Sequence, residues 1–270
     1  MIAILLCTYN GERFLKEQID SLLKQTNQNF EIYIHDDGSS DATLAIVADY
    51  TERHRGKIHY LNDEVKHRGA GASFMWLLNK IDADYYMFCD QDDVWLPDKV
   101  EHTYKRIKEV ECEHSGVPIL IHTDLQVCDE NLQMLYPSFW KYQNFKVDIS
   151  KKKEYIGFGN IVTGCTMIIN REVKDVAFPY NNELMHDYWL ALCVAKNGYI
   201  DNLKEATILY RQHGSNTAGI GGEYRKSRIN IKAFLKNVGV ERKRVSDVAH
   251  LSFMEWCLYR IIYFVNRRVK

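Results

Sequence analysis

Tyr85-Tyr86-Met87-Phe88-Cys89-Asp90-Gln91-Asp92-Asp93-Val94-Trp95-Leu96-Pro97 is the stretch on which the reading of this fold turns. Five residues suited to a buried strand run unbroken to Cys89 and stop at three carboxylates within four residues. Carboxylates so close repel one another unless a cation or a set of N–H donors neutralises them. Oxygen ligands at a strand end suit Mg²⁺ or Mn²⁺, which bind few carboxylates and leave coordination positions for phosphate oxygens. The Gly and spaced acceptors of a structural calcium loop are missing. A metal and diphosphate site is therefore expected at Asp90 to Asp93.

Working outward, further short β-rich runs cover Ile2 to Cys7, Glu31 to Asp36, Ile58 to Leu61 and Ile119 to His122, each bounded by Asn, Gly, Asp or Pro. Between them, Leu15, Ile19, Leu22 and Leu23 share one helical face, as do Leu44, Val47, Ala48 and Thr51. Strand and helix alternation predicts an α/β fold with a mostly parallel sheet covered on both sides. Ligands then bind beyond the carboxyl ends of the strands. There the first strand offers Cys7-Thr8-Tyr9-Asn10-Gly11 and the second Asp36-Asp37-Gly38-Ser39-Ser40-Asp41. Tyr9 is suited to stack on a nucleobase while Asp37 accepts from a pyrimidine N–H. A plain turn followed by a helix capped by Ser40 or Asp41 explains the second segment equally well. His67-Arg68-Gly69-Ala70-Gly71 follows the third strand as a Gly-rich helix start, without the Lys and Ser or Thr spacing of an ATP-binding P-loop.

The second half is less regular. A strand is expected around Val162 to Ile169, a helix from His186 to Asn197 and a strand from Ala206 to Arg211. After Gly219, Gly221 and Gly222 the tail reads as helical, which divides the 270 residues into a body, 1–222, and an extension, 223–270. The net charge of -1 conceals an asymmetry. From Glu223 onward there are 12 Lys and Arg against 4 Asp and Glu, leaving 23 against 32 of the chain's 35 and 36, so the tail carries +8 and the body -9. A basic tail suggests an anionic neighbour, and its aromatic and aliphatic stretch Trp256 to Val265 favours phospholipid over nucleic acid. That stretch is too short, and too interrupted by Arg260, to span a bilayer. Packing on the body or on a second subunit is the alternative. The run Ile2 to Cys7 follows Met1 without a basic leader or cleavage site, and the seven Cys, an odd number, include no CxxC pair. A cytoplasmic protein with reduced thiols, associated with the inner face of the membrane, is the expectation.

Taken in order, Thr8-Tyr9-Asn10, Asp36-Asp37-Gly38-Ser39 and Asp90-Gln91-Asp92-Asp93 resemble the family 2 glycosyltransferases of the GT-A fold. His186-Asp187-Tyr188-Trp189 and Tyr210-Arg211-Gln212-His213 extend the likeness, and the combination is similar to the bacterial rhamnosyltransferase branch. The resemblance implies a GT-A sheet flanked by helices, with nucleotide contacts from Thr8, Tyr9, Asn10, Asp37, Arg68, Asp90 and Gln91. It implies Mn²⁺ or Mg²⁺ held by Asp92 and Asp93 with Asp90 in support, and Asp187 as the base that deprotonates the acceptor hydroxyl. His213 follows a strand and precedes Gly214, a position for a metal or phosphate contact, with Arg211 and Gln212 beside it. Thr163, Gly164 and His186 are expected near the diphosphate or sugar. Gly157, Gly159 and Gly164 either permit close approach there or mark a strand bulge. Trp95, with Trp140 and Trp189, offers a stacking face for a sugar ring or belongs to the core.

By the same resemblance the reaction is an inverting transfer from a nucleotide-diphosphate sugar, dTDP-rhamnose first and UDP-hexoses second. The acceptor is a saccharide, lipid-linked at the cytoplasmic membrane face, in cell-surface polysaccharide synthesis. A sugar-phosphate nucleotidyltransferase is the rival enzyme, but Gly11-Glu12-Arg13 is a poor substitute for its Gly-rich activating loop. A non-enzymatic carbohydrate-binding protein has no need of the acidic cluster.

Overall fold

The computed structural model describes residues 1–214 and 231–268. The expected boundary at 222, with Gly219, Gly221 and Gly222, lies outside the described residues. In chain order the elements are β1 (Ile2–Thr8), α1 (Leu15–Leu23), β2 (Phe30–Asp36), α2 (Thr43–Arg53), β3 (Ile58–Tyr60), α3 (Ala70–Lys80), β4 (Tyr85–Cys89), β5 (Val94–Trp95) and α4 (Lys99–Glu113). There follow β6 (Ile119–Cys128), β7 (Met134–Tyr136), α5 (Phe139–Tyr142), α6 (Lys153–Ile156), β8 (Ile168–Asn170), α7 (Val173–Ala177), α8 (His186–Asn197), β9 (Tyr199–Arg211), α9 (Ile231–Ala249) and α10 (Phe253–Arg268).

The strands form one sheet in the order β3-β2-β1-β4-β8-β6-β9-β5, with β7 paired to β6. β3, β2, β1 and β4 are parallel, as the alternation predicted. Beyond β4 the sheet is mixed: β8 runs antiparallel to both β4 and β6, and β5 antiparallel to β9. Because β8 is antiparallel to both neighbours, β6 and β9 regain the direction of β4. The carboxyl ends of β1, β2, β4, β6 and β9 therefore share one edge.

The sheet must curl. A flat sheet would put four strand spacings, about 19 Å, between β4 and β5. Yet Cys89 and Val94 are five peptide steps apart in sequence, a reach of at most about 17 Å. Asp90 to Asp93 thus spans the open side of a curled sheet.

Helices cover both faces because β1 alternates its buried side chains. Ile2, Ile4 and Leu6 pack with Leu15, Ile19 and Leu22 of α1 and with α2 and α4, whereas Ala3 and Leu5 pack with Phe74, Leu77 and Leu78 of α3 and with α8. Two expectations need correction. The buried face of α2 is Thr43, Ile46, Val47 and Tyr50, leaving Leu44 40% exposed, since Tyr50 both buries its ring and donates to Asp20 of α1 at 2.7 Å. The strand expected from Val162 shrinks to Ile168–Asn170, because the N–H and hydroxyl of Thr166 both turn back to Thr163 O at 2.9 and 2.7 Å.

The tail docks on the body through aromatic rings: Trp256 and Tyr263 of α10 and Val245 of α9 cluster with Tyr155 and Phe158. A Cβ on Gly157 would stand 2.6 Å from Val245 Cγ2, and one on Gly159 2.4 Å from the Tyr263 hydroxyl. Among the described residues no helix is long and apolar enough to cross a membrane.

Candidate active site

At the β2 end a single carboxylate organises the turn. Asp36 accepts from the Thr8 hydroxyl at 2.8 Å, from Gly38 N and Ser39 N at 3.0 and 2.8 Å, and from Ser39 Oγ at 2.6 Å. Gly38 can follow because its φ of 95° is open to glycine. Asp37 turns the other way and takes Arg68 N at 2.9 Å and Gly69 N at 2.8 Å, which brings the loop after β3 against the β2 end. Tyr9 stands 48% exposed above this floor, with its ring edge-on to His67 at 5.5 Å. Asn10 lies beside it, its N–H on Ser39 Oγ and its amide oxygen accepting from Ser40 N. Tyr9, Asn10 and Asp37 thus converge as expected. The hydroxyl of Thr8 serves Asp36, and the Arg68 guanidinium pairs with Asp63 over the Trp76 ring, so both shape the floor.

Gln91 joins this floor to the acidic segment. Its amide accepts from Tyr9 N and donates to Tyr9 O, both at 2.9 Å. A Cβ on residue 11 would fall 2.2 Å from Gln91 Oε1, so any residue but glycine there displaces this amide from Tyr9.

Asp92 Oδ2 lies 2.9 Å from His213 Nε2, whose ring tilts on Phe14. Asp93 is fully buried: Oδ1 accepts from Arg211 N at 3.0 Å and Oδ2 has no hydrogen-bond partner. Asp90, Asp93 and Cys165 each bring a potential ligand atom to within 4.8 Å of the others. Burial, then the neighbouring charges of Asp92 and Asp187, push the Asp90 carboxyl up to about 7. Burial also raises Asp93 well above the carboxylate range, followed by Asp92 and Asp90. Such a cluster fits a divalent cation: oxygen donors, one imidazole, mutual repulsion to relieve and an unsatisfied buried oxygen. Cys165 is a weak contributor, since burial holds its thiol protonated.

Asp187 opens α8, and its charge acts on the Asp90 carboxyl. Burial pushes its carboxyl up to about 6, opposed by hydrogen bonds from Tyr188 N at 2.6 Å, Gly164 N–H and the Asn160 side chain. Gly164 therefore lies beside Asp187, with Thr163 preceding it in the chain. Gly164 has to be glycine, because a Cβ there would meet His186 Nε2 at 2.7 Å.

Three expected contacts are corrected. Trp95 is only 2% exposed, lying beneath α1 with its backbone N–H donating to Ser21 Oγ and the Lys99 ammonium 4.5 Å from its ring; it is core, not a sugar platform. Arg211 is likewise 2% exposed and its guanidinium binds Asp92 O, Glu130 O and Glu17, which makes it a strut behind the acidic segment. His186 is sandwiched by Phe74 and Phe88, neutral because burial lowers it to about 3, and it backs Gly164 without facing a diphosphate. Gln212 remains half-buried beside His213, its amide on Arg211 O.

Sequence reasoning placed the Asn160 to Thr163 segment near the donor sugar and acceptor by the resemblance but gave Asn160 no role of its own, and it missed Lys99. Asn160 follows Gly159 in a segment without periodicity. Lys99 is fully buried, its amine pushed down to about 8 by burial, with Cys165, Cys89 and Asp93 around it. The only available signal was its place at a helix start two residues after Pro97.

Known proteins match this arrangement. Residues 3–173 match the family model for glycosyl transferase family 2. The chain is 30% identical over 253 residues to a dTDP-rhamnosyl transferase, RfbG, of Shigella flexneri, covering 88% of this chain and 80% of the relative. It is 26% identical over 267 residues to WfgD of Escherichia coli, a UDP-Glc:alpha-D-GlcNAc-diphosphoundecaprenol beta-1,3-glucosyltransferase, covering 98% and 91%. Two uncharacterized Rickettsia glycosyltransferases are covered over 65% of their length. Among solved structures, TarS residues 1–349 of S. aureus with UDP-GlcNAc superimposes with a TM-score of 0.64 at 17% identity, over 98% of this chain and 72% of that one. On these matches the chain belongs to glycosyl transferase family 2 and is a nucleotide-sugar-dependent glycosyltransferase of the GT-A fold.

Proposed function

We propose that the enzyme transfers rhamnose from dTDP-rhamnose, with inversion, to a hydroxyl of a lipid-linked saccharide in cell-surface polysaccharide synthesis at the cytoplasmic membrane face. The observation that carries the reading is the meeting of Asp90, Asp92, Asp93, His213 and Asp187 at one cavity beside the Tyr9 and Asp37 floor. The rhamnosyl donor is favoured by the relative named dTDP-rhamnosyl transferase, and the lipid-linked acceptor by the diphosphoundecaprenol in the name of another.

Tyr9 supplies a ring for the pyrimidine, and Asp37, fixed by two backbone N–H groups, presents an acceptor for its N–H. Asp92 and Asp93, with His213 and Asp90 in support, would hold Mn²⁺ or Mg²⁺, which neutralises the charge arriving on the diphosphate when bound. Asp187 takes the acceptor proton. Its elevated pKa suits a general base, and Asn160, Gly164 and Tyr188 fix its direction. Inversion by a single displacement is carried over from the resemblance to the family, with Asp187 as the base.

A panel of sugar nucleotides, each with Mn²⁺, tests this by thermal stabilisation. A donor at 100 times its dissociation constant adds about 2.7 kcal/mol. dTDP-rhamnose is expected to stabilise most. A larger shift with a UDP-hexose would overturn the donor assignment, and a retained anomer in the product would overturn the mechanism.

A further inference from the structure

The tail uses only one side of its last helix to hold the body. Trp256 and Tyr263 are buried on Tyr155 and Phe158, with the ring of Phe158 5.6 Å from Tyr263 and 6.5 Å from Trp256. The opposite side is also apolar. Met254, Leu258 and Ile261 are 81%, 57% and 62% exposed, and their spacing of four and three residues aligns them along one face of α10. Phe253, 57% exposed at the start of the same helix, stacks on Trp256 and has the Arg242 guanidinium 5.0 Å from its ring. Contiguous exposed apolar side chains of this size mark an interaction surface.

The charge pattern selects the occupant. Between 231 and 268 there are 8 Lys and Arg against 3 Asp and Glu. Two of those acids are engaged: Glu241 is bound by Arg260 Nε at 2.7 Å, and Glu255 accepts from the Ser252 N–H and hydroxyl at the start of α10. Arg242 and Lys243 remain exposed. An apolar strip flanked by cations matches an anionic bilayer, whose headgroups attract the cations while its acyl boundary accepts Met, Leu and Ile. Nucleic acid has no use for the strip. A two-fold pairing with a second copy would bring two cation-rich tails together.

The strip is coupled in space to the active site. Gly157 and Gly159 receive Val245 and Tyr263, and the same segment continues to Asn160, which holds Asp187. The Arg244 guanidinium lies 5.3 Å from the Tyr188 ring, and the Tyr188 hydroxyl donates to Ile156 O and Gly157 O. We infer that α10 lies in the interface of an anionic phospholipid bilayer through Met254, Leu258 and Ile261, with Arg242 and Lys243 on headgroups, which brings the Asn160–Gly164 side of the site toward the membrane. This deepens the lipid-linked acceptor reading and rests on it for its purpose, though not for its test.

The full chain would be sedimented with phosphatidylcholine vesicles and with vesicles containing phosphatidylglycerol. Wild type is expected in the pellet only with phosphatidylglycerol, and raised NaCl should release it. Met254→Glu with Leu258→Glu should weaken partition about tenfold or more, with the melting temperature and the Mn²⁺-dependent shift by sugar nucleotide retained. Arg242→Glu with Lys243→Glu, which leaves Met254, Leu258 and Ile261 in place, should do the same. Wild type that stays in solution with phosphatidylglycerol, or variants that pellet as wild type does, would overturn the inference. So would a solution dimer that the Met254→Glu and Leu258→Glu variant dissociates. Vesicle binding by a protein that prefers another donor leaves this face assigned, whereas rhamnosyl transfer without vesicle binding leaves only the donor.

Discussion

Asp187 and Arg211 are both charged and both close to the acidic segment, yet their surroundings give them opposite work. Asp187 keeps its place through three hydrogen bonds while burial keeps its proton affinity high. Asp187→Asn is expected to lower kcat by roughly 10²–10⁴-fold with little change in donor binding. A base must be unprotonated, so the wild-type rate should fall as pH drops through about 6, a limb that steady-state profiles would register. Arg211 spends its guanidinium on Asp92 O, Glu130 O and Glu17. Arg211→Ala should therefore cost about 2–4 kcal/mol of stability, seen in a chemical melt, and leave the affinity of the folded fraction for nucleotide nearly intact. The residue types at this site were legible in the sequence because strand-end carboxylates have few other uses. The direction of each side chain was not: nothing local told that Trp95 would turn under α1 or that Arg211 would face inward.

At the level of elements, the parallel half was readable from short apolar runs separated by periodic helices, and α8 runs from His186 to Asn197 as its pattern indicates. The insertion of β8 between β4 and β6 was not readable, since pairing between strands so far apart in sequence leaves no local mark. The α2 face was misjudged for a related reason. Its sequence supports two overlapping stripes, and Asp20 on another helix decides between them by binding Tyr50. Tight joints between elements are equally invisible in sequence. Gly198 ends α8 where a Cβ would lie 1.8 Å from Pro118 O, a backbone atom that cannot swing aside. Gly198→Ala should destabilise by about 3 kcal/mol or more, measurable as a fall in Tm.

Across the whole molecule, the basic tail packs back on the rest of the chain, with Val245, Trp256 and Tyr263 closing over Tyr155 and Phe158. Removing 223–270 would return both rings to water at roughly 1.5–3 kcal/mol each, so the truncated chain should melt lower and aggregate on heating, which light scattering would detect. Sequence alone left open whether the tail packed on the body or met a membrane. α10 packs on the body through Trp256 and Tyr263, and its exposed Met254 side is the one proposed to meet lipid.

The acidic segment also ties the middle of the curled sheet to its β5 margin, since it leaves β4 and enters β5 within five steps. Whatever rigidifies Asp90 to Asp93 thereby tightens a girdle around the fold. Amide hydrogens of β5 and of its partner residues Ile208 and Leu209 should exchange more slowly when nucleotide and Mn²⁺ are added together, although those strands lie outside the base-binding floor. Unchanged exchange there would mean that the tie is slack.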